Sequence, residues 1–233
     1  MQTTADTARD TISTYRDPVS KYTFVTAPPH AVPDIWREYL DGALAAYTRY
    51  GAESALEYDK VRAGHSTALF SAALDDNGVV VGGLRAQGPF RSSAESHAPR
   101  EWENPENITR IREMIEARIP FGLIEAKAAW VGEDVPGRRD LTLAVARMGA
   151  HFMHVLGTRF MMATAADTVL DLWRTCGGVV DESIPHTPYP DARYRTRLMW
   201  WDSTRIDRFG FPVGAPPGSA RSPEPETTRS EAE

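Results

Sequence analysis

The residues best suited to chemistry lie in three places. In the run Gly122-Leu-Ile-Glu-Ala-Lys-Ala-Ala-Trp-Val131, one carboxylate, Glu125, stands among seven Leu, Ile, Ala, Trp or Val residues. Burial disfavours the charged form of a carboxyl group and should raise its pKa, which suits a group that takes a proton from a substrate. The competing reading is an ion pair with Lys127 or a neighbouring arginine. The second place is Gly137-Arg138-Arg139, just ahead of a long amphipathic stretch. A loop entering a helix N-terminus offers free N–H groups, and two guanidinium groups add positive charge, which together suit an anion such as phosphate. An ordinary solvated helix start, with Asp140 as its cap, is the alternative. The third place holds Glu57, Asp59 and Arg85. A carboxylate can orient an ammonium and an arginine can grip a carboxylate with two parallel bonds. Surface ion pairing competes here, most strongly for Glu57.

Other reactive side chains carry less. His151 and His154 are three apart, but no second histidine-plus-carboxylate helix accompanies them, so no metal is expected. Cys176, the single cysteine, has no local signature of a thiol enzyme and reads as a buried structural residue. Gly82-Gly83 and Gly177-Gly178 match no nucleotide-binding fingerprint.

The elements that must hold these residues follow from apolar periodicity. Val32 to Tyr50 reads as a helix, with Pro33 in its first turn. Ser66–Ala73 and Val79–Ala86 form a hairpin around the turn-prone residues 75–78. Pro105 to Arg118 is a second helix, Phe121 to Val131 a strand, and the stretch from Leu141 to Val155 a long helix capped by Gly157. Arg159–Ala163, Asp167–Thr175 and Arg193–Trp201 then read as strand, helix and strand. This order predicts one domain of α/β (α+β) class, a mixed central sheet flanked by helices. It spans 21–213, between a flexible segment 1–20 and a disordered tail 214–233 that contains no large apolar residue. With 233 residues the chain needs no metal or disulfide staple. A net charge of −6 argues against a nucleic-acid partner. No apolar run approaches a membrane span and no secretion signal is evident, so a cytoplasmic location is expected.

The Gly122–Val131 strand, the loop with Gly137-Arg138-Arg139, the long helix after it and the segment Leu172-Trp-Arg-Thr-Cys-Gly-Gly178 resemble the GNAT acyltransferase superfamily over roughly residues 31–202. Within it, Glu57-Tyr58-Asp59, Arg85 at the early hairpin and Glu125 on the central strand resemble the branch of acyl-homoserine-lactone and long-chain N-acyl amino acid synthases. The sequence departs from the synthases at Ala128, where they carry arginine, and lacks the Gly-x-Gly that usually follows the arginine of the phosphate loop.

The resemblance implies an N-acyltransferase that joins an acyl thioester to the amine of a small acceptor such as an amino acid derivative. Glu125 would be the base or water organiser, and Asp59 with Arg85 the acceptor clamp. Trp130, Val131, Gly137, Arg138 and Arg139 would hold the pantetheine arm and its phosphate, with backbone N–H groups near Ala129–Val131 facing the oxyanion. Trp173 would line the substrate pocket at the position where many members have a general-acid tyrosine. Tyr189, Tyr194, Trp200 and Trp201 would line an acyl pocket or simply fill core. No cofactor is implied as a permanent resident: acyl-CoA or acyl carrier protein is the co-substrate, and the carrier protein is the one macromolecular partner implied. Two other readings stay open, a degenerate ligand- or partner-binding member without catalysis and a protein-lysine acetyltransferase.

Overall fold

Pro33 opens the first long helix, α1 (Pro33–Arg49), because its fixed φ suits a first helical turn. Its apolar stripe, Trp36, Tyr39, Leu40 and Ala43, is buried against the sheet. The computed structural model describes residues 12–206. Ahead of α1 run strands β1 (Ser13–Arg16) and β2 (Thr23–Ala27), and after it a one-turn helix, α2 (Tyr58–Val61). The hairpin is β3 (Leu69–Leu74) and β4 (Val80–Gln87). Helix α3 (Pro105–Glu116) begins where the Asn104 side chain accepts the free N–H groups of Glu106 and Asn107. Strand β5 (Leu123–Val131) leads to the longest helix, α4 (Arg138–Val155), and Gly157 follows it with φ 62°. Strand β6 (Phe160–Ala166), helix α5 (Leu170–Thr175), strands β7 (Val179–Val180) and β8 (Thr196–Asp202) and a last turn, α6 (Ser203–Ile206), complete the described chain.

The eight strands form one sheet in the order β1-β2-β3-β4-β5-β6-β8-β7. Among the described strands only β5 and β6 run parallel. Leu84, Ala86, Ile124, Ala126, Met161 and Ala163 point to one face and pack with Leu141, Val145 and Phe152 of α4 and with Trp173 of α5. On the other face α1 packs through Trp36 and Tyr39 on Phe70 and Ala72. Ile111 and Ile115 of α3 pack there on Leu123, Met162 and Leu198. The expected helix-covered mixed sheet in a single α/β domain is what the chain forms. Burying both sheet faces removes large side chains from water at about 1.5–3 kcal/mol each, which offsets the ordering of the chain.

Two expectations need correction. Within the segment 1–20 expected to be flexible, Ser13–Arg16 is an edge strand, paired with Thr23–Thr26 of β2. The stretch read as one helix over Asp167–Thr175 is a 3-10 turn, Asp167–Val169, followed by α5. The tail expected to be disordered, 214–233, lies outside the described residues. No helix among the described residues is long and apolar enough to cross a membrane.

Candidate active site

Strands β5 and β6 are hydrogen-bonded neighbours at three registers only, Leu123 with Phe160, Ile124 with Met161 and Glu125 with Met162. Beyond Glu125 they part, and a cleft of about 420 Å³ opens between Ala126–Val131 and Ala163–Ala166. A bulge in β5 shapes this wall. Between the paired registers Lys127–Arg85 and Trp130–Gly83, β5 has two residues, Ala128 and Ala129, where β4 has only Leu84. Ala128 takes φ 53°, a left-handed conformation that costs a side-chain-bearing residue energy. The extra residue resets the alternation, so Trp130 faces the α1 side of the sheet as Lys127 does. Buried Tyr39 secures the bulge, its hydroxyl donating to the Ala128 carbonyl at 2.6 Å. Gly42 on α1 leaves room for the Trp130 ring, into which any Cβ at that position would intrude.

One end of the cleft meets the N-terminus of α4. Arg138 and Thr142 line it, as do Trp130 and Val131 of β5 and Trp173 of α5. Arg138 is exposed, and its Nε donates to the Gly132 carbonyl at 3.0 Å. Gly137 precedes the helix with φ 63° and nothing within 4 Å of where a Cβ would stand. Arg139 is also exposed and is not on the wall. Asp140 is the third residue of α4 and does not cap it. Of the four aromatics considered for a pocket, Tyr189 and Tyr194 line the cleft, whereas Trp200 and Trp201 are packed in the core clusters, Trp201 edge-on to Trp173 at 5.9 Å.

The other end holds a buried cluster of charges. Glu125 is fully buried and is not on the cleft wall. Its Oε2 accepts from the Ser96 hydroxyl and the His97 N–H, both at 3.0 Å, and its Oε1 faces Lys127 Nζ at 3.4 Å. The ion pair weighed as the competing reading for Glu125 is therefore formed. The carboxylate that does reach the cleft is Glu101. Its Oε1 takes bonds from Thr164 Oγ1 at 3.0 Å and Lys127 Nζ at 3.3 Å, and lies 2.9 Å from His97 Nδ1. Its Oε2 is buried with no partner. Burial pushes the Glu101 carboxyl up, but Lys127 and the bonds from His97 and Thr164 outweigh it and hold the group below its ordinary range. Burial likewise disfavours the Lys127 ammonium, and Glu125 and Glu101 more than compensate, so it is held above the ordinary lysine range.

The clamp residues separate. Asp59 is exposed on α2, away from the cleft, whereas Glu57, in a left-handed conformation at φ 49°, brings Oε2 to 3.2 Å from His97 Nε2. Arg85 is buried behind the cleft wall. It donates to Thr67 Oγ1 at 3.2 Å, has no carboxylate of the described residues within ion-pair distance and leaves Nε unpartnered among them. Burial pulls its pKa down, only partly offset by Tyr39, Glu125, Tyr47 and Glu57. His97 and Glu101 were missed by the sequence reading. They lie in the irregular stretch between β4 and α3, where no periodicity marks a buried side. The one available signal was their separation by four residues. Cys176 is buried, and burial raises its thiol to about 11, as a structural cysteine requires. No group of three or more His, Cys, Asp or Glu side chains placed to hold a metal ion occurs among the described residues.

This architecture has solved counterparts. The N-acyl amino acid synthase FeeM from uncultured soil microbes superposes with a TM-score of 0.55 at 12% identity, over 79% of this chain and 97% of that one. BjaI, a CoA-dependent acyl-homoserine-lactone synthase solved with SAM and isopentyl-CoA, gives 0.50 at 18% identity over 79% and 86%. The fold is GNAT-like and is shared with these two solved structures. In sequence, the chain is 44% identical over 188 residues to the uncharacterized protein Rv1356c of Mycobacterium tuberculosis (strain H37Rv). The match to the uncharacterized protein Mb1391c of Mycobacterium bovis has the same extent, 81% of this chain and 72% of the relative. The chain belongs to the family of these mycobacterial proteins. No protein-family profile matches it.

Proposed function

We propose that the protein is an N-acyltransferase that moves an acyl group from a thioester to the amine of a small acceptor. The observation that carries this reading is the parting of β5 from β6. It makes one continuous cleft between a helix N-terminus bearing Arg138 and a buried carboxylate with an unsatisfied oxygen. A pantetheine arm fits between the strands, with its phosphate toward the N–H groups of α4 and Arg138. The acceptor amine donates to Glu101 Oε2, which takes its proton in place of Glu125, the base implied by resemblance. The nitrogen lone pair then forms the C–N bond, and the oxyanion faces the backbone of Ala129–Val131. The C–S bond breaks as the electron pair leaves on sulfur. A thiolate needs little help to depart, which suits a site where indole Trp173 cannot supply a proton. Arg85 lies behind the wall, and Lys127, on the wall itself, keeps Glu101 ionised. The donor is acyl-CoA or acyl carrier protein, and a carrier protein's own surface would compensate for the missing Gly-x-Gly. A cytoplasmic location is part of this proposal, because such donors are found there.

Thiol release tests this reading. Purified protein is given acyl-CoA donors of several lengths, acyl carrier protein loaded likewise, and a panel of amino acids. Turnover above the buffer rate with at least one pair is expected, and Glu101→Gln should lower kcat by about 10²-fold or more. Absence of release with every pair would overturn it.

A further inference from the structure

Acyl transfer to an amine that enters as an ammonium releases one proton per turnover. The nitrogen loses one proton before it attacks and a second as the amide forms, and the departing thiolate takes up only one of them. On the acyltransferase reading just given, the first proton lands on Glu101. That carboxylate is fully buried against Lys127, and on this reading the bound acceptor covers its cleft side, so the proton does not pass directly to water. An outlet is required.

The structure supplies a continuous chain of contacts that does not pass back through the cleft. His97 is nearly buried, and its ring spans two carboxylates, Nδ1 lying 2.9 Å from Glu101 Oε1 and Nε2 3.2 Å from Glu57 Oε2. Glu57 sits at the outer end, its side chain 24% exposed against 10% for His97 and 0% for Glu101. Exposure therefore rises along the line from the cleft outward. Imidazole is the side chain that takes up and gives off protons near neutral pH, with one nitrogen free to accept while the other donates. The groups facing the ring come from every neighbouring element: Glu57 ahead of α2, Glu101 on its own segment, Lys127 of β5 with Nζ 3.1 Å from Nδ1, and the Tyr189 ring at 6.0 Å. The Glu125 carboxylate pins the loop through the His97 N–H.

We propose that Glu101, His97 and Glu57 form a proton exit from the acceptor end of the cleft to solvent. Of the two tautomers, the one with Nδ1 donating to Glu101 supports the ionised carboxylate, and the one with Nε2 donating to Glu57 while Nδ1 accepts from Lys127 is the one that can take up a proton. When the acceptor protonates Glu101 Oε2, the carboxyl group turns about its Cγ–Cδ bond so that the O–H meets Nδ1 and gives it that proton, and Nε2 releases its own to Glu57, which hands it to water. No electrons move and no co-reactant is consumed. His97 never touches the substrate.

The test compares wild type, His97→Gln, His97→Ala and Glu57→Gln in the thiol-release assay, each with imidazole added over a concentration series. An exit predicts that both His97 variants lose about 10- to 100-fold in kcat with KM for both substrates within about twofold. It also predicts that imidazole restores the rate of His97→Ala in proportion to its neutral form, and that Glu57→Gln shows a smaller, buffer-dependent loss. A kcat unchanged in both His97 variants would overturn the exit while leaving acyl transfer standing. A loss that imidazole does not relieve, or one shared by kcat and KM, would show that His97 only holds the loop, and would overturn it too. Absence of turnover in wild type would overturn acyl transfer first and the exit with it.

Discussion

At the scale of single residues, burial sorted the candidates. Glu125 looked like a base because it sits in an apolar run, yet the same burial left it behind the wall, bonded to Ser96, His97 and Lys127. Replacing it should therefore cost stability first. Glu125→Gln breaks a buried charge pair, worth about 3–5 kcal/mol, and should lower the urea midpoint clearly, whereas Glu101→Gln should strike kcat. Paired unfolding curves and rate measurements separate the two roles. Asp59→Ala should leave the rate within about twofold in the same assay, because its side chain points to solvent on α2. For the phosphate end, Arg138→Ala should raise KM for acyl-CoA about tenfold, the weight of one charge-assisted bond, while Arg139→Ala should leave KM within twofold. Cys176 should react with a thiol reagent only when the protein is unfolded, since a buried thiol raised to about 11 presents almost no thiolate.

At the scale of elements, what could be read from sequence was what periodicity announces. The stripe of α1, the stripe of α4, the turn residues of the hairpin and the apolar run of β5 all gave their positions to within a few residues. Strands β1 and β2 did not. Ser-Thr-Tyr-Arg, an exposed edge, has no buried face to write into its sequence, and Thr-Phe-Val-Thr-Ala is too short to show alternation. The bulge at Ala128 depends on Tyr39, 89 residues earlier, and no local pattern records it. The acceptor end was the least legible part, because His97 and Glu101 lie on an irregular segment. The bulge itself can be tested. Ala128→Gly relieves a left-handed alanine and should raise stability by about 0.5–1 kcal/mol in thermal unfolding. Tyr39→Phe removes one buried bond, should cost about 1–3 kcal/mol, and should raise donor KM as the wall loosens.

At the scale of the whole molecule, the charge cluster ties stability to pH in a predictable direction. Glu101 has its folded-state pKa depressed, so its contribution is present above its ordinary value of 4.5 and is lost as pH falls through the folded value. Lys127 has its folded-state pKa raised, so its contribution holds below its ordinary value of 10.5 and is lost as pH rises through the folded one. Stability should thus be flat between these limits and fall on the acid side, and Glu101→Gln should flatten that acid limb in urea titrations across pH. The placement of the indoles has a practical outcome as well. Of six tryptophans, Trp130 and Trp173 form walls of the cleft. A thioester entering there would displace solvent from both rings at once, so intrinsic fluorescence reports occupancy without any label, even for a donor that the protein binds but never turns over.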